Sequence, residues 1–461
     1  MKISIPKIVF LVISSFWLSG CQLTPADDED PEPEPGGKDS PVTLSRFNRA
    51  GYSDLLIDKS GTYHAVFQES DNIGRTVYVY YSKSTNKGKS WTEPVAISND
   101  KTQNGAGAPH ILQDGNGTIY ALWKRYGSSA SQYPVKEVSL DGPGGYVVGT
   151  LYFAVLNGDR FGNPIMLADE ETLQYSWFPF IGPSGELRVL WSQRSAVSKK
   201  NYWDMWYYAD YLRLATVSGT SVTNIFDITQ PAGPSNPQGG APPKNGWQNL
   251  SGYIDRAGKI RFIGELLVDG KMTLAYFNGT HAKAVYQYPN NNSNTFMNPA
   301  VLTYDEAGND HILLKPASTT PDDEMIWDIN PVANTYQPVA HVRKAGIKIE
   351  GFQAFQGPNG QMAVVVQAGG LVESNESFGV FYKDKQWTTV GLTANSSKET
   401  FQVVQWMSIN ILPVSTYYDT DYVSVAWDSN NKRSLLMTLS ATSLVAGYAV
   451  NKPSVIFSPI D

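Results

Sequence analysis

The chain holds a single cysteine, Cys21, among 461 residues, so no disulfide can form within it. Histidine is scarce as well. His64, His110, His281, His311 and His341 are spread too widely for the ligand spacing of a zinc site. No apolar run reaches the roughly 20 residues that a membrane-spanning helix needs. Charge of one sign is not in excess: 36 Lys and Arg face 43 Asp and Glu, a net of −7, and no basic stripe is present. Nucleic acid is thereby excluded as an expected partner. Neither a phosphate-cradling glycine loop nor a G-x-S-x-G nucleophile elbow occurs. Long segments with helical period are missing too. What remains is a mature chain rich in Tyr, Trp, Val, Gly and Asn, with short apolar runs cut by Gly, Asn, Asp and Pro. That pattern predicts an all-β fold.

The first 20 residues carry Lys2 and Lys7, then an apolar run from Ile8 to Leu18. They read as a signal peptide. The run ends in Leu18-Ser19-Gly20-Cys21, which resembles the lipobox of bacterial lipoproteins. The resemblance implies cleavage before Cys21 and a diacylglycerol on its thiol; the alternative is an ordinary signal peptide with a free cysteine. Acylation by two or more chains gives stable anchoring. Gln22, rather than Asp, follows the cysteine, which by resemblance to Gram-negative sorting implies the outer membrane. The expected location is the bacterial cell envelope, with the membrane reached only through the lipid.

Residues 21–40 form an acidic, proline-rich stretch that cannot bury a core and should act as an extended tether. Residues 1–40 carry a net charge of −4, so residues 41–461, the expected globular domain, are only mildly acidic.

A repeat runs through that domain: a turn with Gly, six mostly apolar residues, then a polar one. Copies are Gly61-TYHAVF-Gln68, Gly117-TIYALW-Lys124, Gly185-ELRVLW-Ser192, Gly258-KIRFIG-Glu265, Gly308-NDHILL-Lys315, Gly360-QMAVVV-Gln367 and Asp421-YVSVAW-Asp428. Most follow one strand-like run and precede a further pair. Four strands per unit, with the second one apolar on both faces, predict a seven-bladed β-propeller of four-stranded antiparallel blades, with six blades the nearest alternative. A two-sheet sandwich is the competing architecture.

Ser84, Asn86, Gly88, Ser90 and Trp91 fit S-x-[DN]-x-G-x-[ST]-W. This resembles the Asp-box, or BNR repeat, of sialidases and related propellers. There it is a structural turn between the third and fourth strands with the Trp packed beneath it, and it says nothing of catalysis.

The polar residues that end the repeats should face one rim of the ring: Gln68, Lys124, Ser192, Glu265, Lys315, Gln367 and Asp428, with Glu69, Arg125 and Arg194 just beyond. Wet strand ends alone account for most of them. Loop length says more. Residues 126–148, 195–209 and 230–247 are long, and in a propeller they lie over blades two to four on one side. The stretch Tyr202-Trp203-Asp204-Met205-Trp206-Tyr207-Tyr208 offers flat aromatic faces beside a carboxylate, which suits sugar rings. Trp247 and Trp406 could join it. Packing of the aromatics against their own blade is the alternative.

Blades two and three also resemble a group of BNR-type propellers that includes the ulvan lyases. In those, two histidines, a tyrosine and an arginine imply β-elimination from an acidic polysaccharide. Here the matching stretches read Ala106-Gly107-Ala108-Pro109, Arg125-Tyr126-Gly127 and Phe178-Pro179, with Arg194 in the place of the arginine. Both histidines and the tyrosine are replaced, which leaves Tyr126 and Arg194 as the weak catalytic candidates. The sialidase pattern of three arginines and a Tyr–Glu pair is not matched either. A carboxylate-binding cleft survives the comparison better than a mechanism does.

Three functions stay open. The first is recognition of carbohydrate, an acidic polysaccharide or glycan, through Arg125, Tyr126, Arg194, Trp203, Asp204, Trp206, Trp247, Glu265, Lys315 and Trp406. The others are a glycoside hydrolase or polysaccharide lyase, and a scaffold for envelope proteins. No cofactor or metal is called for; a calcium ion on the ring axis is the one alternative that no motif decides.

Overall fold

The computed structural model describes residues 42–46, 50–70, 77–98, 106–126, 149–193, 211–228, 248–268, 271–288, 300–316, 324–342, 348–356, 361–370, 373–383, 386–388, 416–430, 433–445 and 448–459. The chain divides into residues 1–40 and 41–461, and only the second part contains described residues. Their regular secondary structure is strand throughout.

These strands make five four-stranded antiparallel sheets and one eight-stranded sheet. In the larger sheet one long strand, Ile165–Ile181, is shared. Its start pairs with Gly149–Asn157 and its end, from Trp177, pairs with Leu187–Gln193. It is the outer strand of one group and the inner strand of the next. Divided there, and with the short Arg160–Phe161 set aside, the described strands form seven groups of four, in chain order except that Val42–Thr43 joins the last.

The first strands of the groups are Ala50–Ile57, Ala106–Gln113, the end of Ile165–Ile181, Gln248–Ile254, Val301–Tyr304, Lys348–Gln356 and Thr416–Trp427. Each lies against the first strand of the following group, and Thr416–Trp427 lies against Ala50–Ile57. The succession therefore closes into a ring, which is the architecture of a β-propeller, and each group is a blade. The last blade borrows its outer strand from the other end of the chain: Val42–Thr43 pairs with Tyr448–Pro459. This closure joins the two ends of the domain and covers an edge that would otherwise be open to pairing.

Second strands fill the ring. Val66, Leu122, Leu190, Ile263 and Leu313 lean towards the following blade, while Ala65, Phe67, Ala121, Trp123, Val189 and Trp191 lean towards the preceding one. Alternate side chains thus serve two different cores, which is why the sequence shows apolar runs rather than alternation. All eleven are buried. At roughly 25 cal/mol per Å² of apolar surface, these seams are the main source of stability.

The turn between the first and second strands is built the same way in blade after blade. Asp58 Oδ1 accepts the backbone N–H groups of Ser60 at 2.8 Å and Thr62 at 2.9 Å. Asp114 and Asp255 do the same for the residues two and four further on. The fourth residue of these turns is Gly61, Gly117 or Gly258, each with φ near +80 to +90°, a region where only glycine sits without strain.

The seventh copy of the sequence repeat is misplaced by one strand. Asp421 lies inside the first strand Thr416–Trp427, not in a turn. Asp428 accepts Asn430 N–H at 2.8 Å and so matches Asp58 and Asp255, at the opposite end of the blade from the expected rim. The second strand of this blade is Arg433–Val445. In register, Thr438 takes the place of Gln68 and Lys124.

Candidate functional site

At the turn end of the ring, the residue three places after the glycine faces the turn carboxylate in blades one, two, four and five. His64 Nε2 is 3.1 Å from Asp58 Oδ2, Tyr120 donates its hydroxyl to Asp114 Oδ2 at 3.2 Å, and Arg261 Nε donates to Asp255 Oδ2 at 2.8 Å. His311 stands 3.7 Å from Asp305. These side chains hold each turn against its own blade, so the sequence slot shared by His64, Tyr120, Arg261 and His311 is structural.

The strongest of these clusters bridges two blades. Arg261 also donates to Asp310 Oδ2 at 2.6 Å and to the Tyr276 hydroxyl at 3.0 Å. Asp310 begins the second strand of the fifth blade and accepts the hydroxyls of Tyr253 and Tyr276 from the fourth. Burial and the Asp310 charge push both phenols well above the usual tyrosine range.

Ser84 to Trp91 connects the third and fourth strands of the first blade. Ser84 Oγ donates to Asn86 Oδ1 at 2.8 Å and accepts Gly88 N–H at 2.9 Å, and Ser90 N–H returns to Asn86 Oδ1 at 2.9 Å. Trp91 Nε1 donates to the Gly88 carbonyl at 3.1 Å, and its ring lies 5.1 Å from that of Phe457 in the last blade. The turn is therefore a seam element and faces no ligand.

At the opposite rim, the residues ending the second strands turn into the seams. Gln68 Oε1 accepts Ala108 N–H at 3.2 Å, across to the second blade. Glu265 is buried and accepts the Tyr288 hydroxyl at 2.8 Å. Lys315 donates to the Ile349 carbonyl of the sixth blade. Of the expected ligand residues, Glu265 is thus bonded within its own blade and Lys315 to the backbone of the next.

Lys124 and Arg125 differ from these. Lys124 is wholly buried, and its Nζ has no hydrogen-bond partner among the described residues. Desolvation holds its pKa far below that of an ordinary lysine. Arg125 is part-exposed, with its guanidinium 5.9 Å from the centre of the Tyr152 ring and Nη1 3.5 Å from that hydroxyl. Beside them the first strand of the blade bulges between Gly107 and His110, and Ala108 takes a φ of +49° that a residue with a Cβ rarely adopts.

Tyr126 ends the same strand as Arg125; its side chain lies outside the described residues. So do Cys21, Arg194, Trp203, Asp204, Trp206, Trp247 and Trp406. No group of three or more His, Cys, Asp or Glu among the described residues could hold a metal ion.

The ring axis presents a feature that the sequence reading passed over. The pairs Asp54↔Val66, His110↔Leu122, Phe178↔Leu190, Ser251↔Ile263, Val301↔Leu313, Gln353↔Val365 and Ser424↔Leu436 put seven first-strand residues at one height. Three of them accept the backbone N–H of the following blade's first strand. Ser424 Oγ takes that of Leu55 at 3.1 Å, Asp54 Oδ2 that of Ile111 at 3.0 Å, and Ser251 Oγ that of Leu302 at 3.0 Å. Ser424 also donates to Asp54 Oδ1 at 2.7 Å.

The fold and its rim define a β-propeller that carries a basic pair at the loop end of its second blade. No family model matches the chain, and no curated protein does either. Among solved structures it is similar to a protein of unknown function from Dyadobacter fermentans, at 13% identity and TM-score 0.41, over 91% of this chain and 98% of that one. It is similar to the Hadza microbial sialidase Hz136 at 11% identity and TM-score 0.41, over 91% and 68%. A Penicillium chrysogenum α-L-arabinanase complexed with arabinobiose matches at 12% identity and TM-score 0.41, over 91% and 98%. Identities this low assign neither a family nor an activity.

Proposed function

We propose that the domain binds an acidic glycan at the loop rim of its second blade, as an envelope lipoprotein held by an acylated Cys21. The observation that carries the reading is the juxtaposition of Lys124 and Arg125. A buried amine without a hydrogen-bond partner costs stability, so its retention asks for a reason beyond folding. Arg125 beside it presents a planar donor fork supported on Tyr152. A carboxylate or sulfate would be held by the Arg125 fork, and its charge would act on Lys124 across the strand end, favouring the protonated amine. The aromatic-rich segment around Trp203 and Trp206 would then supply stacking faces.

Binding of tetragalacturonate and of neutral galactotetraose to the full-length chain, measured by calorimetry, tests the reading. The acidic sugar is expected to bind at least about tenfold more tightly, and Arg125→Ala to remove most of that preference, about 1.4 kcal/mol. Equal affinity for both sugars, or an acidic preference untouched by Arg125→Ala and Lys124→Met, would overturn it. Acylation is checked by the mass of the mature protein and its loss in Cys21→Ser.

A further inference from the structure

Of the seven residues at one height on the axis, two have a hydrogen-bonding side chain with no hydrogen bond from it to described residues: Gln353, whose Oε1 is buried, and His110, whose side chain is 39% exposed. Asp54, Ser251 and Ser424 are spent on the next blade's backbone. His110 cannot follow them, because the residue it would serve on the third blade is Pro179, the successor of Phe178, and proline has no N–H to donate. The imidazole is therefore left at the axis. Its side chain is 39% exposed and that of Asp54 is 23% exposed, so solvent reaches both. His110 Nδ1 stands 3.6 Å from Asp54 Oδ2. Asp54 is itself fixed by Ile111 N–H, Leu55 N–H and the Ser424 hydroxyl. Trp177 meets the imidazole edge to face at 5.0 Å and limits its rotation.

A fixed carboxylate near Nδ1 favours the tautomer with its proton there, which leaves Nε2 as an acceptor. Phe178, part-buried, sits at the same height on the adjoining strand. An oriented acceptor, a carboxylate and an aromatic face on three successive blades match what one sugar residue needs: hydroxyl partners on its edge and an apolar surface for its ring.

We propose that Asp54, His110 and Phe178 form an axial binding site for a single hydroxyl-bearing sugar residue. The inference deepens the acidic-glycan reading. Ala106 pairs with Arg125 at the rim and His110 with Leu122, three residues along the partner strand from Arg125, roughly 10 Å at about 3.3 Å per residue. A chain of two or three sugars spans that distance, so the acidic group would be held at the rim and a further sugar at the axis.

The test is the imidazole itself. Full-length protein with ¹⁵N-labelled histidine is titrated with tetragalacturonate and with galactotetraose, and the His110 resonances are assigned by their loss in His110→Gln. Both sugars are expected to shift the His110 Nε2 signal. His110→Ala is expected to weaken tetragalacturonate about tenfold, and Asp54→Asn, which keeps an acceptor for Ile111 N–H, to weaken it less. Near-ultraviolet circular dichroism checks that each variant is folded. If Arg125→Ala weakens binding while the His110 signal stays still and His110→Ala binds normally, the axial site is wrong and the rim reading stands. If His110 responds to both sugars and Arg125→Ala changes nothing, the rim reading fails and the axial site stands. A His110 signal indifferent to both sugars overturns the axial site.

Discussion

His64 and His311 occupy the same position in their blades, yet the protein drives their protonation in opposite directions. Burial disfavours the charged form of His64 and outweighs its contact with Asp58, so its pKa falls. Its Nδ1 lies 2.8 Å from the Tyr81 hydroxyl, an arrangement suited to a neutral ring with Nε2–H facing Asp58. Burial disfavours charge on His311 too, but the hydrogen bond and charge of Asp328, with the charge of Asp305, outweigh it, and its pKa rises. Asp328 Oδ2 sits 2.7 Å from His311 Nδ1.

These signs predict a two-sided pH response. For His64 the folded pKa lies below the unfolded one, so its contribution holds above the ordinary value near 6.5 and is lost as pH falls. For His311 the contribution holds below that value and is lost as pH rises through the raised folded pKa. Urea unfolding across pH 5 to 8.5 should show His64→Gln flattening the acid arm and His311→Gln flattening the alkaline arm. Parallel profiles for the two variants would contradict the assignment.

Asp310 should be among the costliest polar residues to change. Its carboxylate, buried between blades four and five, serves Arg261, Tyr253 and Tyr276 at once. Asp310→Ala leaves two buried phenols without their acceptor and Arg261 with Asp255 alone, and should cost about 2–4 kcal/mol. Arg261→Met should cost less in the Asp310→Ala background than alone, because its bond to Asp310 is already gone. The measurement is a double-mutant cycle by chemical denaturation, and simple additivity would show that the cluster does not act as a unit.

Gly88 is confined twice over. Its φ is +81°, and a Cβ there would lie 1.9 Å from the Phe457 ring. Gly88→Ala should therefore destabilise by about 2–4 kcal/mol, the sum of overpacking and left-handed strain. Most of the overpacking part should vanish when Phe457 is already Ala, leaving roughly 1 kcal/mol. An unchanged cost in that background would place the strain in the turn alone.

Lys124→Met should make the protein more stable and a poorer binder. Removing a buried amine that has no hydrogen-bond partner among the described residues should gain about 1–3 kcal/mol near neutral pH. The gain should shrink as pH rises towards the unfolded lysine value, where the unfolded state also becomes neutral. In parallel, tetragalacturonate binding should lose the proton uptake detected by calorimetry in buffers of different ionisation enthalpy. A destabilised variant would mean that the amine has a structural partner after all.

Much of the ring was legible in the residues because its elements are local. A glycine in a four-residue turn, with five or six apolar residues after it, is enough to mark the second strands from Tyr63 to Met362. The turn from Ser84 to Trp91 was readable for the same reason. Legibility failed where one sequence pattern fits two strands. Asp421-YVSVAW-Asp428 has the right composition for a second strand, and only its pairing with Arg433–Val445 shows it to be a first one. Glu265 and Lys315 were polar and at strand ends, but that one would meet Tyr288 of its own blade and the other the Ile349 carbonyl of the next depends on residues far along the chain.

Composition and short-range pattern determined an all-β chain and its repeated strand pairs, since both depend on residues a few places apart. Tertiary structure alone decided that Ser424, Asp54 and His110 share one height, although 370 positions separate the first two. It also decided that Pro179, which has no N–H, stands where His110 would find a backbone donor. The reason is geometric: a strand's period says which face a side chain takes, whereas its neighbour across the axis exists only once the ring has closed.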